Sequence, residues 1–167
     1  MLLIISATNG QNLTLAKELQ KIAKTQGYNS QVIDLTTYSL PLYTSQQQLK
    51  GIPDHVETLT NQFIKAKSII FCAPEYNGTV PPVLANAIAW ISVFTDHYRD
   101  AFNLKLGALA THSGGQGIKV LKAMRMMLTT MGMKLIDDQI QSNAHQPFIS
   151  EDGEAMIRQI MNGVEGQ

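Results

Sequence analysis

Residues 74–92 read PEYNGTVPPVLANAIAWIS, a polar loop that leads through two prolines into a helix. From Pro82 to Ser92 the apolar residues recur at helical spacing. Residues 68–73, immediately before the loop, contain a continuous apolar run from Ile69 to Ala73, which is typical of a strand covered on both faces. The stretch therefore predicts a strand, a loop and a helix, which together form one unit of an α/β fold.

The same unit recurs on both sides of this stretch. The predicted strands are residues 2–7, 31–35, 68–73, 104–111 and 135–140, and the predicted helices are residues 13–23, 54–66, 82–92, 118–131 and 152–162. Because parallel strands need crossover connections, this alternation predicts one parallel sheet between two helical layers. The second strand is the least apolar and is expected at the sheet edge. We expect a single α/β domain over residues 1–167.

Residues 36–53 form a polar connection that is long for a compact domain, so we expect it to cover another part of the molecule. After it, Asp54 and Glu57 have the spacing of a capping box at the start of a helix.

Composition excludes several classes of function. Thirteen basic and thirteen acidic residues leave no net charge, which disfavours a nucleic-acid partner and the strongly acidic surface of an electron carrier. Cys72 is the only cysteine and lies in an apolar run, so we interpret it as a core residue rather than a nucleophile. No apolar stretch is long enough to span a membrane, and no metal site is predicted. A cytoplasmic protein is expected.

In an open parallel sheet, ligands bind beyond the carboxyl ends of the strands, near the point where the strand order reverses. Three loops should therefore meet there: residues 6–14, 74–82 and 112–117. The first offers backbone N–H groups at a helix N-terminus, which favour an anion, although Asn12 or Thr14 acting only as a helix cap explains it equally well. The third, SGGQG, allows a flat ligand to approach the backbone, or is only a flexible turn.

Residues 74–92 closely resemble the signature of the NADPH-dependent FMN reductase family, which contains flavodoxin-like quinone and azo reductases. The first and third loops resemble those of the family as well, so the similarity follows nearly the whole chain. It implies a flavodoxin-like three-layer sandwich with strand order 2-1-3-4-5, bound FMN, and NADPH or NADH as co-substrate. Relatives often form dimers or tetramers, so a homodimer or homotetramer is expected.

The resemblance also implies which residues bind the flavin. The FMN phosphate would contact Ser6, Asn12, Leu13 and Thr14. The ring system and ribityl chain would be enclosed, mainly by backbone groups, by Pro74, Glu75, Tyr76, Asn77 and Gly78. The pyrimidine end of the ring would be bordered by Ser113, Gly114 and Gln116.

The first loop differs from the common family pattern, because Ser6-Ala7-Thr8-Asn9 contains no arginine. The helix after the signature differs as well, with Ala85 and Ala89 where Lys and Asp are common.

The expected reaction is a two-step relay in which a reduced nicotinamide gives hydride to flavin N5 and a quinone, azo compound or similar small acceptor then takes it. No catalytic side chain is predicted, because the cofactor carries this chemistry. His112 lies beside the predicted site and could tune the flavin, donate a proton or only end the strand. Two alternatives stay open: a flavodoxin-like electron-transfer protein and an interaction domain without flavin.

Overall fold

The fold is built on five strands: β1 (Leu2–Ser6), β2 (Ser30–Asp34), β3 (Ser68–Cys72), β4 (Leu106–His112) and β5 (Lys134–Ser142). A computed structural model describes residues 1–94 and 98–166. The strands are parallel and form one sheet in the order β2-β1-β3-β4-β5. Every residue of β1 and β3 is buried, because helices cover both faces of the sheet. The predicted flavodoxin-like order is confirmed, and β2 lies at an edge as expected.

The helices are α1 (Gln11–Thr25), α2 (Ser45–Gln48), α3 (Asp54–Lys65), α4 (Pro82–Phe94), α5 (Ile118–Thr130) and α6 (Ser150–Glu165). Alternate strand residues face opposite layers: Leu3 and Ile5 pack in the core with α3, α4 and α5, whereas Leu2 and Ile4 pack with α1 and α6. The predicted three-layer arrangement is confirmed. Within residues 1–94 and 98–166, no helix has the length and apolar character needed to cross a membrane.

The prediction of a capping box at Asp54 is wrong. The residue that caps α3 is Pro53, whose backbone is extended and whose side chain makes no capping bond. Proline fixes the backbone angle that precedes the helix, so the helix begins at Asp54 without a side-chain cap. Asp54 and Glu57 both lie in the first turn, where their negative charge favours the helix through its dipole.

The long connection after β2 is fastened to α4, in agreement with the expectation that it covers another element. We call residues 39–53 the strap. Asn86 on α4 accepts a hydrogen bond from the Tyr43 N–H (2.7 Å) and donates to the Pro41 carbonyl (3.0 Å). The Trp90 indole N–H donates to the same carbonyl (2.7 Å), and its ring meets the Tyr43 ring edge-on at 5.3 Å. The strap therefore holds the helix that follows the signature loop.

Replacing Asn86 with alanine is expected to destabilise the protein by about 1–3 kcal/mol, because the Tyr43 N–H loses its acceptor and the Pro41 carbonyl keeps only the Trp90 N–H. The matched control is Asn61→Ala on the exposed side of α3, which should change stability by less than about 0.5 kcal/mol. Urea unfolding followed by circular dichroism measures both. Equal stability of the two variants would show that the strap is not held through Asn86.

Candidate functional site

The three predicted loops leave the sheet side by side. β1, β3 and β4 end at Ser6, Cys72 and His112. The hydrogen-bond ladder continues one residue further, from the Ala7 N–H to the Cys72 carbonyl (2.9 Å) and from the Ala73 N–H to the Ala110 carbonyl (3.1 Å). The strand order reverses between β1 and β3, so the loops lie at the position where this type of sheet binds ligands.

The first loop enters α1 without a side-chain cap. Gly10 is the capping residue, and the N–H groups of Leu13 and Thr14 both donate to its carbonyl. The N–H groups of Gln11 and Asn12, the first two residues of the helix, have no carbonyl acceptor within the helix, because no helical turn precedes them. No acidic residue lies in the first turn, so these amides face no competing negative charge. Capping by Asn12 or Thr14 is therefore wrong as the explanation of this loop, and the anion site stays a prediction.

Asn12 connects the first loop to the third. Its side-chain amide donates to the His112 carbonyl (2.8 Å), and its side-chain oxygen accepts from the His112 N–H (2.9 Å). The side chain is 2% exposed, so both of its polar ends are used inside the protein. Ser6 is likewise committed, since its hydroxyl donates to the Thr8 carbonyl at 2.6 Å. These two side chains shape the loop, which leaves backbone groups to face a ligand.

The middle loop is a tight turn of backbone. Tyr76 and Thr79 exchange two hydrogen bonds (3.1 and 3.0 Å), and the residues between them, Asn77 and Gly78, both have positive φ (51° and 75°). A two-residue turn with positive φ at both positions is the type I′ turn, which favours the sequence Asn-Gly. The turn presents the Tyr76 side chain, 47% exposed, and the Asn77 side chain at the surface.

Hydroxyl groups join the middle loop to the third. The Thr111 hydroxyl donates to the Ala73 carbonyl (2.7 Å) and lies 2.8 Å from the Ser113 hydroxyl, which accepts from the Glu75 N–H (2.8 Å). Because the Thr111 proton is used, Ser113 is the donor between the two hydroxyls. The Glu75 carboxylate accepts from the Lys119 N–H in the first turn of α5 (3.1 Å). The spacing of the two loops is thus fixed by both the backbone and the side chain of Glu75.

Gly117 closes the third loop against the sheet. It has a φ of 65° and precedes α5 as its capping residue. A β-carbon at this position would lie 2.6 Å from the Thr111 methyl carbon and 3.1 Å from the Ser113 hydroxyl. By contrast, β-carbons at Gly114 and Gly115 would meet nothing within 4 Å. The inner side of the loop is therefore packed, and its outer side is bare backbone.

The structure brings the predicted site residues together at the carboxyl ends of the strands, where they differ in burial. The buried ones are Ser6, Asn12, Pro74 and Ser113, the half-buried ones are Leu13, Glu75 and Gly78, and the exposed ones are Thr14, Tyr76, Asn77, Gly114 and Gln116. Contact of each with FMN stays a prediction. Thr111 was missed by the sequence interpretation. The one sequence signal that could have identified Thr111 is its position at the end of a strand, two residues before a serine.

The available donors suit FMN. An uncapped helix start suits a phosphate, and exposed glycine backbone suits a flat ring. Cys72 takes no part, because it is 1% exposed and burial raises the pKa of its thiol.

A surface cavity of about 430 Å³ lies at the opposite edge of the sheet, where β3 and β4 begin. Among its lining residues, the Lys105 ammonium donates to the carbonyls of Ile64 (2.8 Å) and Ala66. Burial lowers the pKa of this lysine, and Asp100 acts in the opposite direction. None of the motif residues lies there, so the cavity is separate from the candidate site.

A family model for NADPH-dependent FMN reductases matches residues 1–146. The chain belongs to this family. Membership confirms the expectation of an oxidoreductase of the NAD(P)H-dependent FMN reductase type, with FMN and a reduced nicotinamide as its cofactors.

Individual relatives are similar to this chain over different lengths. An uncharacterised protein of Mycoplasma pneumoniae is 26% identical over 162 residues, which cover 90% of this chain and 93% of the relative. A quinone reductase of Escherichia coli K12 is 43% identical over 58 residues, which cover 34% of this chain but only 31% of the relative. The solved structure of FerB, a flavoenzyme NAD(P)H:(acceptor) oxidoreductase from Paracoccus denitrificans, is similar in fold, with a TM-score of 0.68 and 19% identity over 99% of this chain and 93% of that one.

Replacing Gly117 with alanine is expected to destabilise the protein by about 2 kcal/mol or more, since the residue would combine positive φ with a steric clash. Gly115→Ala is the matched control in the same loop and should stay within about 0.5 kcal/mol of the wild type. Urea denaturation without added flavin measures both variants. A Gly117→Ala protein as stable as the control would contradict the described packing of Gly117 on Thr111.

Proposed function

We propose that this protein is an FMN-dependent NAD(P)H oxidoreductase that reduces a quinone, an azo compound or a similar small acceptor. One observation carries the proposal. The three loops that resemble those of the family are joined by hydrogen bonds of Asn12 and Ser113 into one arrangement, which we call the frame. The frame lies at the point where the strand order reverses. A frame built before the ligand arrives lowers the entropic cost of binding.

The residues of the frame divide by position. The backbone amides of Gln11 and Asn12 and the hydroxyl of Thr14 would hold the phosphate. The backbone of residues 74–78 and of residues 113–116 would enclose the ring, and its N–H donors would stabilise negative charge there. Tyr76 would cover part of the ring and exclude water.

Bound FMN would supply the redox chemistry, a hydride relay through N5 between the nicotinamide and the acceptor. The protein then needs to position its reactants and provide electrostatic support. The absence of a net charge favours this reading over an electron-transfer protein that docks by an acidic surface.

The proposal includes a homodimer or homotetramer. Its support is a set of large apolar side chains that face the solvent in the single chain, among them Leu42 (74% exposed), Leu49 (89%) and Met126 (71%). A cytoplasmic location also belongs to the proposal, because the free, buried Cys72 suits a reducing compartment.

The test combines binding with turnover. The protein is mixed with FMN, freed of unbound flavin by gel filtration, and assayed for oxidation of NADH and NADPH with a panel of quinones and azo dyes. We expect a flavin absorption spectrum after filtration and acceptor-dependent oxidation of at least one nucleotide. Bound FMN without oxidation of either nucleotide would favour the electron-transfer protein, and a colourless protein would favour the flavin-free interaction domain.

A matched pair of glycine variants links this activity to the middle loop. Gly78→Val places a β-branched residue at a φ of 75° in the signature turn, and Gly51→Val does the same at 111° in the strap. We expect the first variant to bind FMN at least about tenfold more weakly, since the turn that encloses the ring is distorted. The second variant should bind FMN like the wild type. Equal binding by both would remove the turn from the site.

A further inference from the structure

The His112 ring is held in one orientation. Its Nδ1 lies 3.2 Å from the Ser142 hydroxyl, and that hydroxyl donates its proton to the Thr111 carbonyl (3.0 Å). Ser142 can therefore only accept from the ring, which makes Nδ1 the donor. Among the described residues no group hydrogen-bonds to Nε2. The ring is half-buried, and a neutral ring has a lone pair at Nε2, whereas a protonated ring has an N–H there.

His112 belongs to the face of the sheet that α1 and α6 cover. Asn12 holds both main-chain groups of His112, within 3 Å, against the first turn of α1. Ala108 and Ala110 of β4 face the layer that contains α1 and α6, and His112 follows at the same alternation. Ser113, one residue later, faces the opposite way and bonds to the middle loop. The His112 side chain therefore leaves the sheet on the side covered by α1, and its main chain is bonded to the first turn of that helix.

The first loop lacks a counter-charge for a phosphate ester. Residues 6–16 contain no Lys, Arg or His. A phosphate monoester carries about −1.5 to −2 charges at neutral pH, whereas a helix N-terminus contributes the equivalent of about half a positive charge. A cation close to the helix start would supply the missing charge.

We propose that His112, in its protonated form, is a phosphate ligand of the FMN site, with Nδ1 donating to Ser142 and Nε2 donating to a phosphate oxygen. This inference rests on the proposed function, because it assigns a residue to the phosphate end of the same flavin. It gives the site a dependence on pH: loss of the ring proton as the pH rises removes both the donor and the charge, so FMN binding weakens.

Titratable groups also lie on the elements next to β4 and on the loops of the site. They are Lys17 and Glu18 on α1, Cys72 at the end of β3, Glu75 in the middle loop, Lys119 on α5, His145 after β5, and Glu151 and Asp152 in the first turn of α6. Among the described residues, none of them forms an ion pair with the imidazole. The charge of the ring itself is therefore the variable that the experiment changes.

The test measures dissociation constants of FMN and of riboflavin, which lacks the phosphate, by flavin fluorescence quenching without any nicotinamide. Measurements run from pH 6.5 to 8.5, above the second ionisation of the phosphate near pH 6. We expect His112→Gln to weaken FMN binding about tenfold at pH 6.5 and to leave riboflavin binding unchanged. The wild type should lose FMN affinity as the pH rises, and the glutamine variant should not.

Two further variants complete the design. His112→Arg keeps a cation that does not titrate, so its FMN affinity should be independent of pH and stronger than that of His112→Gln. His145→Gln, which removes an exposed histidine, should bind FMN like the wild type. Asn12 contacts only the main chain of His112, so the tie between the loops is retained in each His112 variant, and urea unfolding checks this.

The outcomes separate this inference from the proposed function. If the wild type binds FMN and His112→Gln binds it equally well, or if the variant loses FMN and riboflavin to the same extent, the phosphate role of His112 is wrong and the reductase proposal stands. If the wild type binds neither flavin, both are wrong.

Discussion

The candidate site depends on one side chain, Asn12, which joins two segments that are 100 residues apart in sequence. Its amide and its carbonyl oxygen bond to the two main-chain groups of His112, so the start of α1 and the end of β4 cannot separate without breaking both bonds. The side chain is buried, and an unpaired amide there would cost free energy. This pairing fixes the helix start that faces the ligand relative to the third loop.

The middle loop is fixed to the same frame by an independent set of bonds through Thr111, Ser113 and Glu75. Its own turn is determined locally, because Asn77 and Gly78 adopt the positive φ values that a two-residue turn needs. The frame is thus a combination of local turn chemistry and long-range hydrogen bonds. Short polar side chains build the frame, which explains why the loops are rich in Ser, Thr and Asn.

Much of the fold could be predicted from the sequence, because it follows from apolar pattern. Residues 2–5 and 69–73 are apolar without interruption, which is typical of strands covered on both faces. The strand order came from family resemblance, since periodicity does not determine which strands are neighbours. The prediction of a capping box at Asp54 was wrong because the residue that caps the helix is Pro53, whose side chain makes no capping bond. The spacing of Asp54 and Glu57 alone does not show which residue is the cap.

The sequence predicts which loops form the site, but not the hydrogen bonds that join them. The signature loop and its turn residues are local features, and they were recognised. Three features depend on contacts between segments that are distant in sequence: the partners of Asn12, the bonds of the Thr111 hydroxyl and the ring orientation of His112. No spacing pattern in a single sequence predicts such contacts. The strap was expected to cover something, but its target, α4, became visible only through Asn86 and Trp90.

The central claim is that the loops at the carboxyl edge of the sheet, rather than the cavity at the amino edge, hold FMN. Hydrogen–deuterium exchange of the protein with and without FMN tests this most directly. We predict slower amide exchange in residues 8–12, 74–79 and 113–117, and no change around Ala66, Lys67, Leu104 and Lys105, which line the opposite cavity. Protection at the opposite cavity with unchanged exchange in the three loops would contradict the account.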